Sequence, residues 1–210
     1  MSDFLELAPV LERGLADLGL PSALSAPLRG YLGLLARWNQ TYNLTAIRDP
    51  AEMVVKHLLD SLSMHGFVDA GRLADVGTGP GLPGIPLALA KPALRVSLIE
   101  SAGKKARFLR EAVRQLGLAD RVTVFDARAE AVPESGWHDY LTARAFGTLG
   151  QLLAVGGHLL RPGGRALAMK GRVPTEEIAD LPNGYRHIAT HALAVPGLDA
   201  ERHLVVIEKD

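Results

Sequence analysis

The chain has 210 residues, with 23 lysines and arginines balanced by 23 aspartates and glutamates, and it has no cysteine. Zero formal net charge means that any nucleic-acid surface must come from the placement of charges rather than their excess. The missing thiol excludes disulfides, thiolate metal sites and a cysteine nucleophile, and 48% hydrophobic with 22% charged residues is the balance of a soluble chain able to bury one good core.

The N-terminus mixes Asp3, Glu6, Glu12 and Arg13 with its apolar residues, unlike a secretory signal. Residues 4–65 read as helical. Leu5, Ala8, Leu11, Leu15 and Leu18 recur at helical spacing. Ser25 stands before the apolar-rich stretch Leu28 to Trp38 as a candidate cap for a second helix. Asp49-Pro50 opens a third, with Asp49 as N-cap and Pro50 at the first helical position; Met53, Val54, Leu58, Leu62 and Met64 are its apolar positions. Between these two, Tyr42-Asn-Leu-Thr reads as an ordered loop. The longest apolar run, Leu82 to Ala90, contains two prolines and is too short to cross a bilayer, so a cytoplasmic protein without membrane contact is expected.

From residue 72 the rhythm becomes alternating strand and helix. Strands are predicted at Leu73–Val76, Arg95–Glu100, Val122–Asp126, Tyr140–Ala143, Arg165–Lys170, about 188–193 and Leu204–Glu208, with helices at about 84–91, 103–117 and 148–160. Such alternation predicts an α/β fold, a mostly parallel sheet covered on both faces. Only Pro196-Gly-Leu-Asp-Ala separates the last two strands, which suggests an antiparallel closing hairpin. Gly71 marks the expected junction between a helical cap, residues 1–70, packed on the main domain, and that domain, residues 71–210.

Ligands of parallel α/β sheets lie at the carboxyl ends of the strands. After the first strand comes Asp75-Val-Gly77-Thr-Gly79-Pro-Gly81-Leu82-Pro-Gly84, a turn stripped of Cβ atoms where a ligand must approach the backbone. Its G-x-G-x-x-G match alone is weak. The fuller Asp75-x-Gly77-x-Gly79-x-Gly81 pattern resembles motif I of S-adenosylmethionine-dependent methyltransferases, in which the acid faces the cofactor's cationic end. After the second strand comes Glu100, which either accepts ribose hydroxyls or is a surface acid beside a helix start. After the third, Ala129 and Glu130 lie on a loop that either flanks a nucleobase or is a solvated turn. After the fourth, Arg144 either points into the cleft or pairs with a structural carboxylate. After the fifth, Lys170 sets a cation at the cleft edge. On the helix Ala102–Leu116, Ala106, Leu109, Val113 and Leu116 form the apolar stripe; Lys104, Arg107, Arg110 and Arg114 form a basic one, with Lys105 and Glu111 off it. The basic stripe is either a solvated face or a track for RNA phosphates. His187 and His191 fall on a predicted strand without cysteine support, so no zinc site is expected. Neither a nucleophile elbow nor a phosphate-binding P-loop sequence is present.

Together these motifs resemble the bacterial 16S rRNA guanine-N7 methyltransferase family, once called glucose-inhibited division protein B. The resemblance spans nearly the whole chain. It is carried by Trp38-Asn-Gln-Thr-Tyr-Asn43-Leu-Thr45, His57-Leu-Leu-Asp60-Ser61, Asp75 through Pro86, Glu100-Ser-x-x-Lys-Lys-x-x-Phe-Leu109, Arg128-Ala-Glu130, Ala143-Arg-Ala145 and Lys170-Gly171. It implies a class I methyltransferase fold with a seven-stranded sheet and N-terminal helical cap, S-adenosylmethionine as cofactor, and methyl transfer to N7 of one guanine (position 527) in 16S rRNA of the small subunit. It carries cofactor contacts onto Gly77, Leu82, Ala129, Glu130 and Arg144; Asp75, Gly79 and Glu100 join them by the strand-end argument. A monomer is expected. Guanine N7 already holds an in-plane lone pair, so alignment rather than proton removal carries the reaction, and no catalytic acid or base is assigned. N7 lies on the major-groove edge, which A-form RNA closes to side chains, so the target base must be unpaired or flipped. Two other readings stand beside it: a nicotinamide-dependent oxidoreductase using Gly79, Gly81, Gly84 and Glu100, and a non-catalytic rRNA-binding assembly factor.

Overall fold

The computed structural model describes residues 3–210. The chain opens with helices α1 (Asp3–Glu6), α2 (Ala8–Asp17) and α3 (Ser25–Tyr42). Leu11 and Leu15 of α2 are buried as their spacing predicts, whereas Leu5 is 62% exposed, because it leaves α1 on the face away from the core. Ser25 does not cap α3. It is already the first helical residue, and Leu24 occupies the cap position without a side-chain bond. The following loop is ordered by local bonds. Asn43 takes the left-handed conformation with φ 50°, and Asn39 Oδ1 accepts the Thr45 N–H at 2.9 Å.

Asp49 does cap α4 (Pro50–Met53): its Oδ1 accepts the Glu52 N–H at 2.8 Å, with Pro50 at the start. The helix then widens into a π-helical turn over Val54–Leu59 before closing as α5 (Asp60–Leu62). A π turn shifts later residues around the axis and leaves carbonyls free for other donors. All five apolar positions expected of this segment are buried.

The sheet has seven strands: β1 (Gly71–Val76), β2 (Leu94–Ile99), β3 (Val122–Phe125), β4 (His138–Arg144), β5 (Leu160–Lys170), β6 (Tyr185–Ala192) and β7 (His203–Lys209). Their spatial order is β3-β2-β1-β4-β5-β7-β6, with β7 running antiparallel between β5 and β6. The switch point falls between β1 and β4, where successive crossovers leave in opposite directions. Helices α6 (Gly84–Ala90), α7 (Gly103–Gln115) and α8 (Leu149–Gly156) stand near their expected places. The last is shorter than its apolar run suggests, because Gly156-Gly157 tightens it into a 3-10 turn and β5 starts early, at Leu160. A short helix, α9 (Thr175–Ala179), follows β5 and has no counterpart among the predicted elements, since five residues carry no periodic signal.

The apolar residues of α2, α3 and the α4–α5 segment share one continuous core with Leu73, Leu98, Phe108 and Leu109. The opposite sheet face is covered by α8, with Ala74, Val76, Ile99, Leu141 and Leu152 in its core. Tyr31, fully buried on α3, donates its hydroxyl to the Pro80 carbonyl at 2.8 Å. The N-terminal helices thereby hold the glycine turn after β1 by a direct bond. Tyr31→Phe removes only that donor and leaves the Pro80 carbonyl without it; urea unfolding is expected to show a loss of about 1 kcal/mol, and an unchanged midpoint would show that the bond contributes nothing.

Candidate functional site

The turn after β1 is built around a buried carboxylate. Asp75 is inaccessible to solvent, and its Oδ2 accepts the Thr78 hydroxyl at 2.5 Å and the Gly84 N–H at 2.8 Å. One oxygen thus ties both ends of the turn to the strand, while Oδ1 is buried without a hydrogen-bond partner among the described residues. Burial pushes the Asp75 pKa up to about 7, against the two hydrogen bonds, which favour the charged form. Gly84 is required by space: a Cβ there would stand 2.7 Å from Asp75 Oδ2. Gly77 is required by conformation, with φ 63°, and a Cβ would also meet the Phe146 ring at 3.0 Å.

A second carboxylate holds the turn from the next strand. Glu100 follows β2 and is 8% exposed. Its Oε2 accepts the Gly79 N–H at 3.0 Å and its Oε1 the Ala102 N–H at 2.8 Å. Each carboxylate oxygen keeps a further lone pair for another donor. Around Glu100 opens a cleft walled by Val76, Gly77, Ile99, Ala129, Glu130 and Phe146. It lies at the carboxyl ends of β1 and β2, where this topology receives ligands.

Of the residues singled out from the sequence, Gly77, Glu100, Ala129 and Glu130 therefore converge on one cleft. Asp75 does not line it but lies beneath the turn, because a carboxylate at that strand end is the nearest acceptor for the turn's own donors. Gly79 faces Glu100 through its N–H, and Leu82 is buried in the core under the turn. Between the two placements open for Arg144, the structure has the pairing one. Its Nη1 donates to Asp60 Oδ2 at 2.8 Å and to the Lys56 carbonyl at 2.6 Å, an oxygen within the π turn. Asp60 Oδ1 accepts from Arg202 Nε at 2.8 Å. Burial first, then the Arg144 charge, pull the His57 pKa down to about 4. The neutral ring with its proton on Nε2 satisfies both neighbours: Nε2 donates to Thr45 Oγ1 at 3.0 Å, and Nδ1 faces Arg144 Nη2 at 3.4 Å. This network joins the cap to the ends of β4 and β7. Sequence reasoning does not assign it, although His57-Leu-Leu-Asp60 is a visible motif, because its arginine partners lie at least 84 residues away.

Arg128 lies on the cleft wall, whereas Lys170 and the basic stripe of α7 stand outside it. Lys170 Nζ donates to the Gly147 carbonyl at 2.9 Å and to Glu177 Oε2 at 2.8 Å, on the edge of a wider concavity of about 830 Å³ formed by residues 170–177. Lys104, Arg107, Arg110 and Arg114 are all exposed on α7. Arg110 meets Asp126 at 3.3 Å, and Arg114 is held by both oxygens of Glu111 at 2.9 and 2.7 Å. Glu111 thus reaches the basic stripe it is expected to avoid, since three residues along a helix brings side chains together.

Residues 25–205 match the family model described as rRNA small subunit methyltransferase G. The chain is 63% identical over 201 residues to the ribosomal RNA small subunit methyltransferase G of Stenotrophomonas maltophilia (strain R551-3), covering 96% of this chain and 94% of that one. It is 60% identical over 205 residues to the protein of that name from Xanthomonas campestris pv. campestris (strain 8004), covering 98% and 96%. Among solved structures, a SAM-dependent methyltransferase from Aquifex aeolicus superposes with TM-score 0.58 at 17% identity, over 79% of this chain and 97% of that one. TrmN from Thermus thermophilus superposes with TM-score 0.56 at 22% identity, over 73% and 48%. These two likenesses identify the class I methyltransferase fold.

The raised pKa of Asp75 has a sign. The folded state keeps a proton that the unfolded carboxyl releases near pH 4, so between about pH 4 and 7 the unfolded state binds fewer protons and stability falls as pH rises. Asp75→Asn keeps an oxygen for Thr78 and Gly84 and removes the titration. Relative to the variant, the wild type is expected to lose on the order of 3 kcal/mol across that window; parallel stability curves for the two proteins would contradict the assignment.

Proposed function

This chain belongs to the rRNA small subunit methyltransferase G family, and on that premise we propose that it transfers a methyl group from S-adenosylmethionine to N7 of a guanine, position 527, in 16S rRNA. The observation that carries the reading is the meeting of the bare-backbone turn at Gly77 with the Glu100 carboxylate in one strand-end cleft. Bound there, S-adenosylmethionine supplies a methyl group made electrophilic by a sulfonium sulfur.

The chain's own residues fit that ligand. Glu100 has lone pairs to accept ribose hydroxyls, and its charge favours a cationic guest. Gly77 presents no side chain to the ligand, and Val76, Ile99 and Ala129 give apolar walls to a base. Glu130 adds a second acid to the cleft wall. Asp75, Gly79 and Leu82 act at one remove, by holding the turn's shape. Arg144, paired with Asp60, also acts at one remove, by tying the end of β4 to the N-terminal helices.

Guanine N7 attacks with a lone pair that no proton occupies, so the enzyme's task is to bring two partners into line and exclude alternatives. The sequence agrees, since it lacks the cysteine that attack through a pyrimidine C5 requires. Positive charge develops on the base, so an oxyanion-binding site would serve no purpose. The relatives lend no support to the nicotinamide or non-catalytic readings. Small-subunit RNA, presented with its target base unpaired, is the proposed macromolecular substrate. Lys104, Arg107, Arg110, Arg114 and Lys170 are the proposed phosphate contacts; the exposed pairs that Arg110 and Arg114 make are weak enough to exchange for RNA phosphates.

The deciding experiment maps 7-methylguanosine in small-subunit RNA after incubation with the protein and labelled methyl donor. Label at one guanine N7 supports the reading; label elsewhere, or none, ends it. Glu100→Ala is expected to raise the dissociation constant for S-adenosylmethionine by about ten- to a hundredfold in calorimetry, and unaltered affinity would remove Glu100 from the site. Neutralising Lys104, Arg107, Arg110 and Arg114 together is expected to flatten the dependence of RNA affinity on salt, whereas an unchanged slope would make the stripe a solvated face.

A further inference from the structure

The parallel strands also have an amino-terminal edge, and arginines collect on it. Arg72 of β1 and Arg95 of β2 are register partners. Both side chains therefore leave the same sheet face, on strands about 4.8 Å apart. Like charges so placed repel each other. Neither guanidinium has a carboxylate within salt-bridge distance among the described residues. Arg121, just before β3, lines the same concavity, and its Nη1 reaches only the carbonyls of Lys91 and Leu94, at 3.5 and 3.4 Å. Three cations thus face a space of about 230 Å³. Two acids share its wall. Glu134 is bonded to Ser97 at 3.0 Å and lies 3.3 Å from His138, and with Asp120 it leaves the three arginines one positive charge in excess.

An aromatic side chain stands beside them. Trp137 is 51% exposed, and the Arg72 guanidinium lies 4.0 Å from its ring centroid. The Arg72 main chain is held there, its N–H bonded to Asp139 at 2.8 Å. An arginine packed on an indole is held in place and keeps its outward N–H donors for an anion. A half-exposed indole beside unpaired guanidinium groups combines the stacking surface and phosphate donors used to hold unpaired nucleotides. The concavity also shares a sheet face with the cleft: Arg72, Ala74 and Val76 alternate along that face of β1, and Val76 lines the cleft about 13 Å further on.

We propose that this concavity is a second RNA contact, holding an unpaired nucleotide with its phosphate on Arg72, Arg95 and Arg121 and its base against Trp137. The proposal builds on rRNA as the substrate and adds to it a site remote from the methyl donor. The test is done on the full chain carrying Trp38→Phe, so that emission reports Trp137 alone. A short single-stranded RNA oligonucleotide is expected to quench it. Arg95→Ala with Arg121→Ala is expected to weaken that binding and to lower the salt slope by about 0.7 for each phosphate no longer neutralised. The same double variant is expected to raise KM for small-subunit RNA roughly tenfold at unchanged kcat, with S-adenosylmethionine affinity intact. Unaltered emission with RNA, equal quenching by inorganic phosphate or by an acidic peptide, or a wild-type KM in the double variant would each overturn it. Quenching needs no methyl donor and no turnover, so it stands or falls separately from the mapped methylation.

Discussion

A single carboxylate without access to water sets the shape of the glycine turn after β1. Asp75 ends β1 with one oxygen bonded to Thr78 and Gly84, six residues apart in the chain, so the turn closes around that atom. Its position leaves the glycines free to meet a ligand, because no side chain from the turn must fold back to satisfy the buried donors. Glu100 grips the same turn from β2 through Gly79. The two acids divide the work. The deeper one is structural and held near neutrality by burial; the shallower one remains at the cleft, where a cationic or hydroxylated ligand can meet it.

The second organising element is Asp60, a buried acid between two distant arginines, Arg144 at the end of β4 and Arg202 just before β7. Removing a charge pair from water is costly, and such a pair persists when its geometry and its further bonds are good. Here Arg144 has two other acceptors within reach: the Lys56 carbonyl, freed by the π turn, and the neutral His57 ring. The irregular helix is thus tied to the end of β4, at the mouth of the sheet. Tyr31 reaches the glycine turn from the same side. The N-terminal helices consequently touch both edges of the site, and displacing them would disturb both the turn and Arg144.

Much of this is legible from residue pattern. The parallel strands β1 to β5 fall at the expected runs, because strands buried on both faces are written as short apolar runs, whereas β6, an antiparallel edge strand with no buried residue, is placed only approximately. Asp49-Pro50 foretells its helix start, since the cap and the N1 proline are both local effects. Ser25 misleads because an adjacent 3-10 turn supplies the entry to the helix instead. The π turn has no signal, as it depends on what the freed carbonyl meets in space. That Gly77 and Glu100 meet at one strand-end cleft is readable through the topology of the fold, whereas the depth of Asp75 is not, because strand ends look alike in sequence whether a carboxylate turns outward or toward its own backbone. Arg144 offers two placements, and the choice lies with Asp60, invisible at a separation of 84 residues.

Zero net charge and an RNA substrate are compatible once the charges are located. Glu111 on α7 and Asp126 after β3 pair with two arginines of the basic stripe through exposed contacts, weak enough for another anion to displace. On the amino-terminal edge of β1 and β2, register itself sets two arginines side by side. Their repulsion is a standing cost that an anion relieves, and the indole beside them supplies the surface a base prefers. Selection of the rRNA target then does not need to come from the reacting base alone. An RNA segment that satisfies a remote phosphate contact and also presents an unpaired base at the cleft meets two geometric conditions at once, and the distance between them is fixed by a rigid strand.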